Sequence, residues 1–395
     1  MKFVKLCMSA GICALAAVCV LSGCNYNSMI AAVSAAEVPD TSKSHVLMDY
    51  ATGTILKEKE ADLKRPIASV TKLMTSLLIL EAIERGELTL EQNITISSNA
   101  SGMGGSQIFL DAYSEHTAGD LFKAIVVSSA NDASVAFAET IAGSESDFVS
   151  RMNSRAAELG MTNTNYGNST GLPAAGAYST ARDVATVTRE VIKHPIYFKY
   201  SRIWMDEFKH PGGRITEMAN TNKLIRFYKG CDFGKTGSTN EAGYCLSASA
   251  QRGDLRLIGV VIGAENSTAR FGETSGLFDW GFANFECKRL LDISKPVEQT
   301  LKVSKSGVDS IKVLPASDYS ILSRKGEKSD IEITYELPNS VSAPIKAGAE
   351  IGRAKLVKGG EVVKEVALIA GEDADGLTYW ETVKEALGGW KIKKN

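Results

Sequence analysis

Three short segments carry residue types that could do covalent chemistry together. Ser69-Val70-Thr71-Lys72 follows Pro66-Ile67-Ala68 and opens an apolar run at helical spacing, Val70, Leu73, Met74, Leu77 and Leu78. That spacing predicts a helix with Ser69 at its N-terminus and Lys72 one turn on, on the same face. A serine hydroxyl is a poor nucleophile until a base takes its proton. A lysine can be that base once burial or nearby positive charge lowers its pKa. Free N–H groups and the positive dipole end at a helix start suit an oxyanion. Alone the spacing is weak, because a Ser N-cap with a solvent-facing Lys is common.

The second segment, Ser129-Ala130-Asn131, lies between the apolar helical runs 121–127 and 133–141. Such a trio can present side chains into a cleft. Ser can relay a proton, and the Asn amide can hold a lysine or a substrate amide. Its plain alternative is a helix cap. The third, Lys235-Thr236-Gly237, is preceded by apolar and aromatic residues and followed by a partner strand over 244–250. Lys and Thr on an edge strand can hold a carboxylate, and Gly lets a substrate backbone come close. Its plain alternative is a hairpin strand with a surface Lys. S-x-x-K, an S-x-N-type motif and K-T-G, in that order, form one catalytic set among serine acyl enzymes.

The elements that must position these segments are legible in outline. The chain has 395 residues, enough for two or three domains. Hydrophobic residues make up 44% and charged residues 23%, which allows a large core and excludes wholesale disorder. Lys+Arg is 44 against Asp+Glu 46, a net of -2. That balance excludes a globally basic nucleic-acid binder. Helical and strand patterns mix over 38–286, the expected catalytic domain. From Pro296 onward short alternating runs appear, such as 331–335 and 362–366, with Gly359-Gly360 as a hairpin turn. A small all-β domain is expected over 295–375. In 377–395, Leu377, Trp380, Val383, Leu387 and Trp390 fall near one helical face, followed by Lys391, Lys393 and Lys394. That pattern suits a helix lying on a membrane surface, or one packed on its own domain.

The start of the chain reads as an export signal. Lys2 and Lys5 precede an uncharged, mostly apolar run over 6–23. The run is short for a membrane span, which needs roughly 20 residues. Leu21-Ser22-Gly23-Cys24 resembles a lipobox, with residues 1–23 removed and Cys24 lipidated; the alternative is ordinary cleavage after 35 or 36. The lipobox abuts the apolar run and is preferred. Either way the mature protein works outside the cytoplasmic membrane, at its outer face or in the wall. The absence of CxxC pairs and HExxH argues against zinc, and neither metal nor cofactor is expected.

With those motifs on the page, the sequence resembles the serine D-Ala-D-Ala carboxypeptidases, the low-molecular-mass penicillin-binding proteins. The resemblance runs from about 46 to 286 and more loosely onward. It also rests on Gly167-Asn168-Ser169-Thr170-Gly171-Leu172, Tyr178-Ser179-Thr180-Ala181, Gly234-Lys235-Thr236-Gly237 and Glu241-Ala242-Gly243-Tyr244-Cys245. It implies an α/β (α+β) serine transpeptidase/β-lactamase-like domain, then a small all-β domain and a C-terminal amphipathic helix. It implies that Ser69 attacks the carbonyl between the two terminal D-alanines and Lys72 takes its proton. Ser129 then relays a proton to the leaving D-Ala, with Asn131 beside it. Lys235, Thr236 and Arg270 bind the terminal carboxylate on a strand that Gly237 leaves open. The oxyanion sits between the N–H groups of Ser69 and Ser238, and water hydrolyses the acyl-enzyme. Implied partners are peptidoglycan stem peptides ending in D-Ala-D-Ala, β-lactams as covalent inhibitors and a membrane surface.

The sequence departs from the family at Ala177, where relatives often carry His, and at Ser238, where some relatives have His. Cys231 and Cys245 flank the KTG strand; if the turn centres near Ser238 they face each other, so a disulfide and two free thiols both stand as readings. Gly102-Met103-Gly104-Gly105 reads as a turn and not a phosphate loop. Two other functions compete. A class A β-lactamase needs a carboxylate to activate the deacylating water, and 160–176 contains no Asp or Glu. A non-enzymatic penicillin sensor usually adds membrane spans and a cytoplasmic domain.

Overall fold

The structure is a computed structural model. It describes residues 38–327 and 330–388. The export segment, Cys24, Trp390 and the terminal lysines lie outside the described residues. The chain divides into two units after Asn284.

The first unit is built on a five-stranded antiparallel sheet. Its strands are β1 (Ser44–Asp49), β2 (Ile55–Lys59), β3 (Cys231–Thr239), β4 (Gly243–Arg252) and β5 (Leu255–Ala264). They lie in the order β2-β1-β5-β4-β3, so the KTG strand β3 is an edge, as its proposed chemistry requires. The labelled helices are α1 (Lys72–Glu84), α2 (Ala118–Ser128), α3 (Asn131–Ala142), α4 (Glu145–Glu158), α5 (Ala181–Ile192) and α6 (Ser267–Asn284). α6 packs on one face of the sheet, with Phe278 against Gly259. α5 packs on the other, where Thr188 Oγ1 meets Ser247 Oγ at 2.7 Å. Covered on both sides, β5 carries a near-continuous apolar run instead of alternation, and all six residues of β1 are buried.

α1 is the spine of the helical layer. Leu73, Met74, Leu77, Leu78, Ile79, Leu80 and Ala82 are all buried, so the helix is apolar on every side and sits inside the unit. A short 3-10 turn, Ala68–Thr71, feeds into it. Ser69 therefore stands on a tight turn abutting the helix start. α2 ends at Ser129, whose φ of 64° places it in the left-handed region. That residue reverses the chain so that α3 starts at Asn131.

The second unit is all β, then a helix. Residues 331–336, 350–358, 361–370, 310–315, 300–304 and 340–342 form a six-stranded sheet in that spatial order. Leu301, Ile311, Val313, Ala354, Leu356, Val366 and Leu368 fill its core. The unit begins earlier than the 295 read from sequence. Phe285–Leu291 is already a strand and pairs with Tyr319–Arg324, so the expected catalytic boundary at 286 falls inside it. Chain continuity hid this, because the strand follows α6 directly. A last helix spans Tyr379–Gly388 and exposes Tyr379 and Trp380. No helix among the described residues is long and apolar enough to cross a membrane.

Candidate active site

The three motifs meet in one place. Lys72 Nζ lies 3.0 Å from Ser69 Oγ, 2.6 Å from Asn131 Oδ1 and 2.6 Å from the Thr170 carbonyl. Ser129 and Asn131 are joined through Ala130, and Lys235 Nζ donates to Ser129 Oγ at 2.8 Å and to the Thr236 carbonyl at 2.9 Å. β3 comes so close to the nucleophile turn that a Cβ at Gly237 would lie 2.8 Å from Ser69 N and 2.9 Å from the Ile67 carbonyl. Only glycine fits there. Gly171 is held as tightly, since a Cβ on it would sit 2.0 Å from the Ala68 carbonyl. Ala68 itself carries a φ of 47°, a strained conformation for a residue with a side chain.

Burial then sets the electrostatics. Lys72, Ser129, Asn131, Lys235, Thr236 and Arg270 are all buried, while Ser69 is half-buried and Ser238 exposed. Burial pushes the Lys72 ammonium well below the ordinary lysine value, and the charge of Lys235 pushes it further, against a weaker upward pull from Asp132. Burial lowers Lys235 to about 7, with the Arg270 guanidinium adding to the effect. Arg270 donates to the Gly237 and Cys245 carbonyls at 3.2 and 3.1 Å, which ties α6 to the KTG strand. The site is a small volume with a surplus of cationic groups beside a half-exposed hydroxyl. Such a volume is ready for an anionic substrate.

Several contacts at the site carried no signal of their role in the sequence. Asn131 Nδ2 donates to the Gly104 carbonyl at 2.6 Å, so the glycine turn at 102–105 forms a wall of the cleft. Asp132 accepts from Ile108 N and Leu110 N, both at 3.1 Å, and pins the segment beyond that turn. Thr170 contributes through its backbone carbonyl, which no residue type betrays. Glu145 brings a carboxylate into the 160–176 region from outside it: Oε1 accepts from Ser169 N at 3.0 Å and Ser169 Oγ at 2.6 Å. The disulfide reading fails. The β3–β4 register pairs Gly237 with Cys245 and Cys231 with Ala250, so the turn centres near Glu241 and the cysteines sit far apart along the strands. Both are free buried thiols, and burial raises Cys231 to about 12 and Cys245 to about 11.

One other cluster, with His45 and Glu273 buried and Asp40 exposed, resembles a metal site on paper. Asp40, His45 and Glu273 hold their ligand atoms within 4.8 Å of one another. The Glu273 carboxylate is, however, already met by Thr41 N, Thr41 Oγ1, Ser42 N, Ser42 Oγ and His45 Nδ1. Asp40 pairs with Lys59 at 2.6 Å. The donor set is that of a satisfied structural carboxylate.

Comparison with known proteins places this geometry. Residues 31–266 match the model of the peptidase S11 D-alanyl-D-alanine carboxypeptidase family, and residues 285–375 match the penicillin-binding protein 5 C-terminal domain. The chain is 38% identical to the D-alanyl-D-alanine carboxypeptidase DacF of Bacillus subtilis over 355 residues, covering 90% of this chain and 91% of the relative. It is 33% identical to DacC of Escherichia coli over 375 residues, covering 91% and 92%. Among solved structures, penicillin-binding protein 5 from Haemophilus influenzae superposes with a TM-score of 0.65 at 33% identity, covering 85% of this chain and 98% of that one. Penicillin-binding protein D2 from Listeria monocytogenes, solved in its ampicillin-bound form, superposes with a TM-score of 0.56 at 30% identity over 62% of this chain and 99% of that one.

Proposed function

The chain belongs to the peptidase S11 D-alanyl-D-alanine carboxypeptidase family, and from that premise we propose that it removes the terminal D-Ala from peptidoglycan stem peptides through an acyl-enzyme on Ser69. The observation that carries the reading is the surroundings of Lys72 Nζ. A neutral amine has two N–H bonds and one lone pair. Asn131 Oδ1 and the Thr170 carbonyl are pure acceptors, each at 2.6 Å, and take the two N–H bonds. The lone pair is left for Ser69 Oγ at 3.0 Å. As Ser69 Oγ bonds to the carbonyl carbon, its proton passes to Lys72, whose ammonium then has three acceptors around it.

The other roles follow the same geometry. The developing oxyanion lies between Ser69 N–H and Ser238 N–H, on the backbone that Gly237 lets close in. Ser129 Oγ, held by Lys235, passes a proton to the leaving amine and regains one from the Lys72 ammonium, which returns Lys72 to its neutral form. Lys235, Thr236 and Arg270 take the terminal carboxylate. Water, deprotonated by the same lysine, releases the shortened peptide. A β-lactam enters by the same acylation and leaves slowly, because the carboxylates that reach the 160–176 loop are committed to it, Glu145 Oε1 to Ser169 and Asp183 Oδ2 to Asn163 N and Thr164 Oγ1. This separates the reading from a β-lactamase.

We place the mature protein at the outer face of the membrane, tethered through Cys24 and resting there through the helix at Tyr379–Gly388. The exposure of Tyr379 (75%) and Trp380 (72%) supports surface contact.

The test is D-Ala release from a peptide ending in D-Ala-D-Ala, with penicillin labelling mapped by mass. Wild type should release D-Ala and carry its adduct on Ser69, and Ser69→Ala should do neither. Labelling without release would favour a sensor. Rapid nitrocefin turnover would favour a β-lactamase.

A further inference from the structure

Lys72 is useful as a base only while its lone pair points at Ser69, and that direction depends on where the Thr170 carbonyl lies. This carbonyl belongs to a loop and needs anchoring. Asn168 Oδ1 accepts from Thr170 N and Thr170 Oγ1 at 3.2 and 3.1 Å and, in the carbonyl's own peptide, from Gly171 N at 2.7 Å. On its N-terminal side Ser169 is gripped from two directions. Thr75 Oγ1, one turn along α1 from Lys72, donates to the Ser169 carbonyl at 2.7 Å. Glu145 Oε1 accepts from both Ser169 N and Ser169 Oγ.

Glu145 is rigidly mounted. It is the first residue of α4, whose cap Ser144 accepts from Asp147 N, and whose Phe148, Met152 and Ala156 are buried in the core. A carboxylate in a first helical turn is also favoured by the dipole.

We propose that Glu145 is a positioning residue for acylation: by clamping Ser169 it fixes the Thr170 carbonyl, which in turn aims the Lys72 lone pair at Ser69. The proposal rests on Ser69 and Lys72 being the nucleophile and base. Without the clamp the Asn168–Ser169 peptide can rotate, and the Asn168 side chain that holds Gly171 N, in the same peptide as the Thr170 carbonyl, shifts with it. One N–H of the amine then loses its acceptor, and the lone pair is no longer confined to the serine. The ammonium formed during acylation loses an acceptor as well.

The experiment is penicillin acylation of the full-length protein across pH, with rates expressed per mole of enzyme that forms a Ser69 adduct. Glu145→Ala is expected to slow acylation about tenfold, the scale of a misaligned reacting pair, and to move the acid limb to lower pH, because the ammonium is less well solvated. Glu145→Gln keeps an acceptor oxygen in place and should stay within about twofold of wild type. Ser169→Ala removes only the hydroxyl half of the clamp, perturbs folding least, and should lose about threefold. The double variant Glu145→Ala/Ser169→Ala should be no slower than Glu145→Ala alone, since both act through one contact. A loss of folded protein would change the adduct yield but neither the rate per adduct nor the limb. Glu145→Ala matching wild type in both would overturn the proposal, as would Glu145→Gln failing as badly as Glu145→Ala. If wild type forms no Ser69 adduct, the acyl-enzyme reading itself falls.

Discussion

The first unit buries two polar clusters, and they are built on opposite plans. Around Glu273 a single carboxylate is surrounded by five donors from Thr41, Ser42 and His45. Burial alone would raise its carboxyl, but hydrogen bonds from His45, Ser42 and Thr41 outweigh this and hold it below the ordinary value. Around Ser69, Lys72 and Lys235 are buried and burial depresses both, with the charge of Lys235 adding to the effect on Lys72 and that of Arg270 to the effect on Lys235. The first cluster is complete without a ligand and ties the segment entering β1 to α6. The second has excess positive charge and an unused lone pair, both of which a substrate with a carboxylate and an electrophilic carbonyl can use. Burial of charge therefore does not mark a site; incomplete satisfaction does.

Crossed substitutions should separate the two clusters. Lys72→Met keeps the side-chain volume and removes the base. It should lower the acylation rate by about 10³-fold or more, within the range for loss of general-base chemistry. It should change folding free energy by less than about 2 kcal/mol, because a costly buried amine is exchanged for an apolar chain. Glu273→Ala should do the reverse. It strands five donors and should cost about 3 kcal/mol of stability in chemical denaturation, with kcat/KM per folded molecule nearly unchanged. A Glu273→Ala protein that is stable but inactive would erase the distinction.

Smaller effects sharpen it further through pH. Glu273 has a depressed folded pKa, so its contribution is present above the unfolded glutamate value of about 4.3 and is lost as pH falls through the lower folded value. Stability measured from pH 6 down to pH 3 should therefore fall, and the fall should be smaller in Glu273→Gln. Lys235 acts in the opposite pH range. With a pKa of about 7 in the free enzyme, its loss of charge should give kcat/KM for a carboxylate-bearing peptide an alkaline limb near that pH. An amidated peptide, already lacking that anion, should show a weaker limb.

The sequence revealed more of the nucleophile cluster than of its supports. Ser69, Lys72, Ser129, Asn131, Lys235 and Gly237 stand in short motifs whose residue types are the chemistry, and the structure brings them into one cleft. Thr170 and Gly104 act through carbonyl oxygens, which every residue has, so nothing in their identities points to the role. Glu145 was invisible for another reason: it reaches the 160–176 loop from a different helix, and a search of the loop's own residues misses it. The cysteine pair shows how a small error in turn placement propagates. Centring the turn near Glu241 instead of at Ser238 changes every cross-strand partner, and of the two readings left open for the cysteines it leaves the free thiols. The start of the second unit was missed because Phe285–Leu291 joins α6 without a linker.

The central claim is that Lys72 is neutral at working pH because it is buried beside Lys235. The direct measurement is the pH dependence of single-turnover acylation by a fluorescent penicillin in wild type, from about pH 4 to 10. Acylation should already be near its maximum at neutrality, with the acid limb well below the ordinary lysine pKa of about 10.4. A limb near that ordinary value, with acylation still climbing at pH 9, would mean a solvated, charged lysine and would contradict the account.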